Sequence, residues 1–313
     1  MGDAAGIGPE ITLKAIAEGV SDRLVPLIVG DLGHLRRLAE KLGLGLPLVR
    51  FPSEDAGIQV YDLANLPFEI PVGIDSETTG RASAENIEIA VDLWRRGVTD
   101  AMATAPISKK AIAMGGYDHP GHTEFIAQLT ATDRFAMSFF AENLRVVLLS
   151  THVSLRKAIE LVQTRRLYDL IVFTHEQIGK LIGRSPRLAM AGLNPHASES
   201  GMFGTEEADE ILPAIEAARE DGIDISGPYS PDTIFLRGFK GDFDAVVACY
   251  HDQATIAVKS LSFGSSVNVT LGLPLIRTSV DHGTAYDIAG LGIADASSMR
   301  AAIDLAGDLS RAS

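Results

Sequence analysis

The chain has 313 residues, a formal net charge of −14, and 46% hydrophobic residues. This composition is typical of a globular protein with a substantial core, and it excludes a wholly disordered chain. The acidic balance argues against nucleic acid as a partner, because binding the phosphate backbone requires a basic surface, whereas a small phosphorylated ligand requires only a few local cations.

Short β-branched runs alternate along the chain with longer helical patterns. The predicted strands are, in chain order, residues 24–29, 101–104, 145–150, 187–191, 245–250 and 267–271. The predicted helices are residues 9–18, 32–41, 83–96, 154–162, 167–182, 206–219 and 298–309. Because apolar strands that alternate with helices are typical of sheets covered on both faces, we predict an α/β fold with mostly parallel central sheets.

The sequence predicts neither a membrane span nor a secretory signal. No run of about 18 apolar residues is present, and the first residues lack the regions of a secretory signal. The one cysteine, Cys249, excludes an internal disulfide and a thiolate metal site. We therefore expect a cytoplasmic protein.

Three histidines share one context, since His152, His196 and His251 each follow a predicted strand. In open α/β sheets, ligands bind outside the carboxyl ends of the strands. Three neutral imidazoles suit Zn²⁺, Co²⁺, Ni²⁺ or Mn²⁺ and leave coordination positions open for catalysis. The spacing of these histidines forms no motif, so a shared metal site and three separate loop histidines both remain open.

Several other polar clusters carry weaker signals. His122 and Thr123 open a helix whose free N–H groups would suit an anion or a simple capping turn. Asp232 follows a rigid proline-containing turn and is a candidate proton acceptor or a cap. Further along the chain, a candidate anion clamp and a polar loop contain Lys259, Asn268, Arg277, Asp281, His282, Gly283 and Thr284.

Familiar nucleotide and hydrolase motifs are missing from the sequence. No G-x-x-x-x-G-K-[ST] occurs, and no G-x-G-x-x-G follows a strand, so neither a P-loop nor a Rossmann site is supported. The motifs H-E-x-x-H and G-x-S-x-G are also absent, which counts against zincins and α/β-hydrolases.

A set of motifs in a fixed order is far more specific than any one cluster. The motifs are residues 2–3 (GD) with 6–10 (GIGPE), 105–109 (APISK), 121–124 (GHTE), 151–152 (TH), 192–197 (GLNPHA) with 204–207 (GTEE), 227–228 (GP) with 231–233 (PDT), 250–253 (YHDQ) and 271–285 (LGLPLIRTSVDHGTA). With this set, nearly the whole chain resembles the 4-hydroxythreonine-4-phosphate dehydrogenase family.

The resemblance implies an architecture similar to that of isocitrate and isopropylmalate dehydrogenases. Two α/β domains are expected, one from residues 1–120 plus 280–313 and the other from residues 121–279. The active site is expected in the cleft between the domains. The family also implies a homodimer whose active site draws on both subunits.

The resemblance assigns roles to individual residues. The implied metal ligands are His152, His196 and His251. The implied substrate contacts are His122, Thr123, Lys259, Asn268 and Arg277, and Asp232 with Lys259 would assist catalysis. The loop over residues 281–290 is similar to an adenosine-binding loop, so the implied cofactor contacts are Asp281, His282, Gly283, Thr284 and Asp287.

The implied reaction is a metal-dependent, NAD- or NADP-dependent oxidation followed by decarboxylation. The C3 hydroxyl of 4-phosphohydroxy-L-threonine, 4-phospho-threonate or 4-phospho-erythronate would be oxidised, and the resulting β-keto acid would lose carbon dioxide. The metal would be Zn, Co, Mn, Ni or Mg. The biosynthetic members of the family act in pyridoxine biosynthesis.

Departures from the family pattern keep other functions open. Residue 4 is Ala instead of Pro, residues 198–201 read SESG instead of GEGG, and residues 254–256 read ATI instead of GLP. These changes favour a catabolic paralogue, and one alternative is an NAD-dependent dehydrogenase of an aromatic dicarboxylate cis-dihydrodiol. Alternatives from other classes are a three-histidine metal-dependent hydrolase, which needs no nicotinamide, and a ligand-binding protein without activity.

Overall fold

The computed structural model describes residues 1–119, 121–262 and 265–312. The strands, in chain order, are β1 (Leu27–Gly30), β2 (Leu48–Arg50), β3 (Ile58–Asp62), β4 (Ala101–Thr104), β5 (Ala136–Ala141), β6 (Leu144–Leu148), β7 (Leu188–Ala191), β8 (Ile225–Tyr229), β9 (Ala245–Ala248), β10 (Val267–Leu271) and β11 (Ile276–Ser279). The helices are α1 (Gly8–Ala17), α2 (Leu32–Lys41), α3 (Glu77–Arg95), α4 (Lys109–Met114), α5 (His122–Leu129), α6 (Leu155–Glu160), α7 (Thr164–Ile182), α8 (Leu212–Glu220), α9 (Ile234–Phe239), α10 (His251–Ser262) and α11 (Ser297–Ala312).

The chain divides into two units. Unit 1 contains Met1–Phe135 and Leu273–Ser310, and unit 2 is built mainly from Ala136–Gly272. The sequence placed these boundaries at residues 120 and 280, so residues 121–135 and 273–279 belong to unit 1 rather than to the second domain.

Packing explains the difference at both boundaries. Phe125 and Ile126 of α5 are buried against Ile87 and Val91 of α3, which keeps α5 in unit 1. Strand β11 pairs in parallel with β4, so it belongs to the same unit. Sequence reasoning missed both contacts because each joins segments that are far apart in the chain.

Unit 1 contains a parallel three-stranded sheet in the order β1-β3-β2 and the parallel pair β4-β11. In unit 2 the strand order is β10-β5-β6-β9-β7-β8. The pairs β6-β9, β9-β7 and β7-β8 are parallel, whereas β5 pairs antiparallel with β10 and β6. The predicted α/β class with mostly parallel sheets is therefore confirmed.

Side-chain caps explain where several helices begin. The Ser76 Oγ accepts a hydrogen bond from the Thr79 N–H at 3.2 Å, so α3 starts at Glu77 instead of at the predicted residue 83. In the same way, Asp31 accepts from the His34 N–H at 2.7 Å and starts α2. The apolar pattern alone did not show the first turns of α3, since these turns are rich in polar residues.

The core of unit 2 lies around its parallel strands. All four residues of β7 and all four of β9 are buried, as expected for strands covered on both faces. Cys249 follows β9 and is also buried, and this burial raises the pKa of its thiol. A buried thiol that stays protonated is inert, so Cys249 contributes packing rather than chemistry.

None of the helices within the described residues combines the length and the apolar character that crossing a membrane would require.

Candidate functional site

The three histidines that sequence analysis selected follow three neighbouring strands of unit 2. His152 lies beyond β6, His251 begins α10 just beyond β9, and His196 lies beyond β7. The strand order β6-β9-β7 is parallel throughout, so all three carboxyl ends lie at the same edge of the sheet. The histidines therefore leave the sheet on one side.

The structure brings two of these imidazoles together. The ring centres of His152 and His251 are 5.6 Å apart. Two imidazoles on one ion, each with a metal–nitrogen distance of about 2 Å, would have their ring centres roughly 5 Å apart. The Nδ1 of His251 lies 2.7 Å from Asp252 Oδ1, a contact that orients the ring and directs Nε2 away from Asp252. The donor chemistry and the spacing of this pair fit a divalent cation.

His196 occupies an unusual backbone conformation. Non-glycine residues from His196 to Ser200 all have positive φ, with +52° at His196 and +58° at Ser200. This left-handed region disfavours L residues by roughly 1–2 kcal/mol each, and such strain concentrates at functional sites. The ring of His196 lies 6.4 Å from that of Phe203. Among the described residues of one chain, no group of three His, Cys, Asp or Glu side chains is arranged to hold a metal, so the three-histidine site stays a prediction.

A buried carboxylate holds the segment that leads to His196. Glu207 is 2% exposed, and its Oε1 accepts hydrogen bonds from the backbone N–H of Leu193 at 2.8 Å and of Asn194 at 2.7 Å. Its Oε2 accepts a third bond from Asn194 Nδ2 at 2.9 Å. Glu207 begins a single π-helical turn, a feature that often marks functional sites. Sequence reasoning gave Glu207 no role, although it ends one of the motifs.

The Gln253 side chain joins the ends of β9 and β7. Its Oε1 accepts from the Cys249 N–H at 2.8 Å, and its Nε2 donates to the Gly192 carbonyl oxygen at 2.7 Å. The segments that lead to His251 and His196 are thus tied by one amide. Sequence analysis gave Gln253 no role, although it completes the YHDQ motif.

We expect Glu207→Ala to destabilise unit 2, because it leaves two backbone donors and one amide donor without this acceptor. An unsatisfied buried donor costs about 1–3 kcal/mol, so the free energy of unfolding should fall by about 3 kcal/mol or more in urea titrations. The matched variant Glu206→Ala removes only one hydrogen bond to Asn194 and should have a much smaller effect. Equal losses from both variants would contradict the role of Glu207.

Unit 1 contains a buried cation beside a candidate substrate histidine. Arg277, on β11, is 3% exposed and donates from Nη2 and Nε to Thr104 Oγ1 at 2.8 and 3.1 Å. Burial lowers the pKa of Arg277 to about 10, while the charge of Glu124 acts in the opposite direction, so the guanidinium stays charged at neutral pH. Burial and then the charge of Arg277 lower the pKa of His122 well below its usual value. A neutral imidazole therefore accompanies a full positive charge, which suits an anionic group.

The structure places the other predicted substrate and catalytic residues on separate elements. Thr123 is the second residue of α5, Lys259 is exposed on α10, and Asn268 lies on β10. The Oδ1 of Asn268 is buried and accepts no hydrogen bond from the described residues, so it remains available for a ligand donor. Asp232 is exposed just before α9 and accepts a hydrogen bond from the Ser230 hydroxyl.

The predicted cofactor loop follows β11 and has no helix or strand of its own. His282 and Asp287 are exposed, and space surrounds Gly283, where an added Cβ would meet nothing within 4 Å. The loop is anchored by the Thr284 carbonyl oxygen, which accepts from the Ile7 N–H at 3.0 Å, and by Ser298 Oγ, which lies 3.4 Å from Asp281 Oδ1. An exposed loop with fixed anchors can receive a ligand, but its role stays a prediction.

Comparison with known proteins extends the resemblance seen in the motifs. The chain is 45% identical to 4-hydroxythreonine-4-phosphate dehydrogenase of Desulfosudis oleivorans, over 98% of this chain and 94% of that protein. It is 43% identical to D-threonate 4-phosphate dehydrogenase of Cupriavidus necator, over 97% of this chain and 93% of that protein.

A solved structure and a family model agree with these relatives. The crystal structure of 4-hydroxythreonine-4-phosphate dehydrogenase from Klebsiella pneumoniae aligns with a TM-score of 0.89 and 40% identity, and the alignment covers 99% of this chain and 98% of that one. The family model described as pyridoxal phosphate biosynthetic protein PdxA matches residues 22–306. The chain therefore belongs to the PdxA family, and it is a dehydrogenase.

Proposed function

We propose that this chain is a metal-dependent NAD(P) dehydrogenase that oxidises the C3 hydroxyl of a 4-phosphorylated hydroxy acid and decarboxylates the β-keto acid product. One relative is named 4-hydroxythreonine-4-phosphate dehydrogenase and another D-threonate 4-phosphate dehydrogenase. Both names support a substrate that carries a hydroxyl and a phosphate. The observation that carries the proposal is the placement of three histidines at the ends of adjacent parallel strands, with two of the rings 5.6 Å apart.

The histidines of unit 2 would hold a divalent cation. His152 and His251 would supply imidazole nitrogen donors, and Asp252 orients the second of them. When bound, the cation would polarise the substrate hydroxyl and stabilise negative charge on oxygen during both chemical steps. The protein's contribution is to place His251 at the start of α10 and His152 in the segment just after β6, both at the same edge of the sheet.

Arg277 and His122 would bind the anionic part of the substrate. The buried guanidinium, held by Thr104, would offer a phosphate a fixed positive charge, and the neutral imidazole adds a donor without a second charge. Lys259, Asn268 and Thr123 are proposed as further contacts. Holding the phosphate fixes the position of the reacting carbon relative to the anion. Less entropy is then lost on the way to the transition state.

Two protons must move in this reaction, because hydride removal from the alcohol releases the hydroxyl proton and decarboxylation ends with protonation of carbon. Asp232 and Lys259 are proposed to assist these transfers, since a carboxylate can accept a proton and an ammonium can donate one. The nicotinamide supplies the hydride acceptor, and the loop of residues 281–290 would bind the cofactor through Asp281, His282, Gly283, Thr284 and Asp287.

The enzyme is proposed to act as a homodimer in which both subunits contribute to each site. One chain alone does not gather three metal ligands from its described residues. Large apolar side chains are exposed shortly after each histidine, namely Val153, Leu155, Met202, Phe203 and Ile256. Exposed apolar groups beside an incomplete polar site favour a surface that a second copy covers.

A substrate panel tests the proposal directly. The protein would be assayed for NAD and NADP reduction with 4-phospho-threonate, 4-phospho-erythronate, 4-phosphohydroxy-L-threonine, their unphosphorylated forms and a terephthalate dihydrodiol. We expect turnover of a phosphorylated acid with release of carbon dioxide. Chelation should abolish the activity, and Zn²⁺, Co²⁺ or Mn²⁺ should restore it, because the cation stabilises the developing charge.

Each other outcome favours a named alternative. Turnover of the dihydrodiol alone would favour a dehydrogenase of an aromatic substrate. Phosphate release without any nicotinamide would favour a three-histidine hydrolase. Calorimetric binding of a phosphorylated acid, with no nicotinamide reduction under any metal condition, would favour a protein that binds its ligand without reaction. Full activity after exhaustive chelation would reject the role of the metal.

A further inference from the structure

A tyrosine hydroxyl in unit 1 lies between two carboxylates. The hydroxyl of Tyr286, within the predicted cofactor loop, lies 2.6 Å from Asp3 Oδ2 and 3.0 Å from Asp75 Oδ1. Asp3 is completely buried, and its other oxygen accepts from the Ala5 N–H at 2.9 Å. Burial and then the hydrogen bond to Asp3 raise the pKa of Tyr286, so the hydroxyl remains a proton donor at any physiological pH.

The same cluster joins two motifs to which the proposed function assigns no role. Asp3 belongs to the GD motif, and Ser108 of the APISK motif donates its hydroxyl proton to Asp75. Lys110 Nζ lies 3.3 Å from the other oxygen of Asp75. The hydrogen bond from Ser108, the bond from Tyr286 and the nearby Lys110 together lower the pKa of Asp75 against the opposing effect of its partial burial, which keeps it ionised.

The loop of residues 281–290 depends on such anchors. It contains no helix or strand, so no ladder of backbone hydrogen bonds fixes it. A hydrogen bond between a neutral donor and an ionised acceptor is stronger than one between two neutral groups. Tyr286 makes two contacts with carboxylates of unit 1, and the neighbouring Gly73 packs closely enough that a Cβ there would lie 2.9 Å from the Tyr286 carbonyl oxygen.

We propose that Tyr286 is a positioning residue for the nicotinamide cofactor, and that its single hydroxyl proton, shared between the carboxylates of Asp3 and Asp75, holds the loop in the conformation that binds the cofactor. This inference rests on the proposed function, which assigns the loop to the cofactor. It adds that the GD and APISK motifs act on cofactor affinity through Tyr286 rather than by contact with the substrate.

The variant Tyr286→Phe tests the inference because it removes the hydroxyl and retains the ring. Without the anchor, the apo protein should exchange the backbone amides of residues 281–290 faster in hydrogen–deuterium exchange. The Kd for the preferred nicotinamide cofactor should rise about tenfold in calorimetry, since ordering the loop would now oppose binding. KM for the cofactor should rise with it, while kcat and KM for the substrate stay within twofold.

Tyr168→Phe is the matched control, because it removes a tyrosine hydroxyl that donates to the Asp221 carboxylate on unit 2. It should leave loop exchange and cofactor affinity unchanged. Asp75→Asn is a second, milder variant, which retains an acceptor for Tyr286 but removes its charge, and it should shift the cofactor Kd in the same direction by less.

The outcomes separate this inference from the proposed function. Equal cofactor affinity and equal loop exchange in wild type and Tyr286→Phe would overturn the inference alone, and so would a variant that loses thermal stability with no change in cofactor Kd. A wild-type protein that binds neither NAD nor NADP would overturn the proposed function and this inference with it.

Discussion

His251→Ala should lower kcat/KM for the phosphorylated substrate by about a thousandfold. The variant removes one of the two rings that lie 5.6 Å apart at the sheet edge. Charge stabilisation by a cation contributes several kcal/mol to such reactions, and about 4 kcal/mol corresponds to a thousandfold change in rate. Activity would be followed by nicotinamide reduction, and the metal bound per chain would be measured by mass spectrometry.

The matched control is His175→Gln, in the same unit but within helix α7 rather than after a strand. It should retain both metal and activity. If His251→Ala also keeps its full metal content and turnover, His251 is not a metal ligand, and the assignment of the other two histidines loses its support.

Mixing two inactive variants tests whether the subunits share the site. If His196 and His251 of one site come from different subunits, a dimer of His196→Ala with His251→Ala has one site with both ligands intact. Random reassortment after mild unfolding should then restore about a quarter of wild-type activity, because half of the dimers are mixed and half of their sites are complete. No recovery, despite subunit exchange seen by native mass spectrometry, would place all three ligands in one chain.

Local sequence patterns were enough to find the strand ends but not their neighbours in space. Apolar runs before His152, His196 and His251 correspond to β6, β7 and β9. The spatial order β6-β9-β7 differs from the order in the chain, so only the folded sheet shows that His251 lies beside His152. Strand β5 was not predicted because it is defined by its pairing with β6 and β10. The first turns of α3 were not predicted because they depend on the Ser76 cap.

The contacts that hold the backbone near His196 could not be predicted from the sequence pattern. Ser198 and Ser200 stand where the family has glycine, yet both have positive φ, a conformation that their side chains disfavour. Glu207, which follows this segment in the chain, fixes the backbone of residues 193 and 194 immediately before it. Such a contact is a tertiary property, and residue propensities oppose the positive φ angles rather than predict them.

Arg277→Lys should raise KM for the phosphorylated substrate by about a hundredfold, with a smaller change in kcat. Lysine keeps the charge but loses the planar pair of donors, and a charge-assisted bond contributes about 1.5–3 kcal/mol. Because Arg277 is 3% exposed, water cannot replace the lost donor easily. Initial rates over a range of substrate concentrations would separate KM from kcat.

Arg184→Lys is the matched control. Arg184 donates a hydrogen bond to Asp244 Oδ1 at 2.7 Å, but it lies on the surface of unit 2. It should leave KM unchanged.

The sharper comparison uses the unphosphorylated substrate, for which wild type and Arg277→Lys should have similar kcat/KM values, because the phosphate is missing in both cases. If Arg277→Lys weakens turnover of both substrates equally, the guanidinium acts on the carboxylate or on the fold rather than on the phosphate. A difference confined to the phosphorylated substrate would assign the phosphate to Arg277 and would disfavour the dihydrodiol alternative, since that substrate has no phosphate to bind.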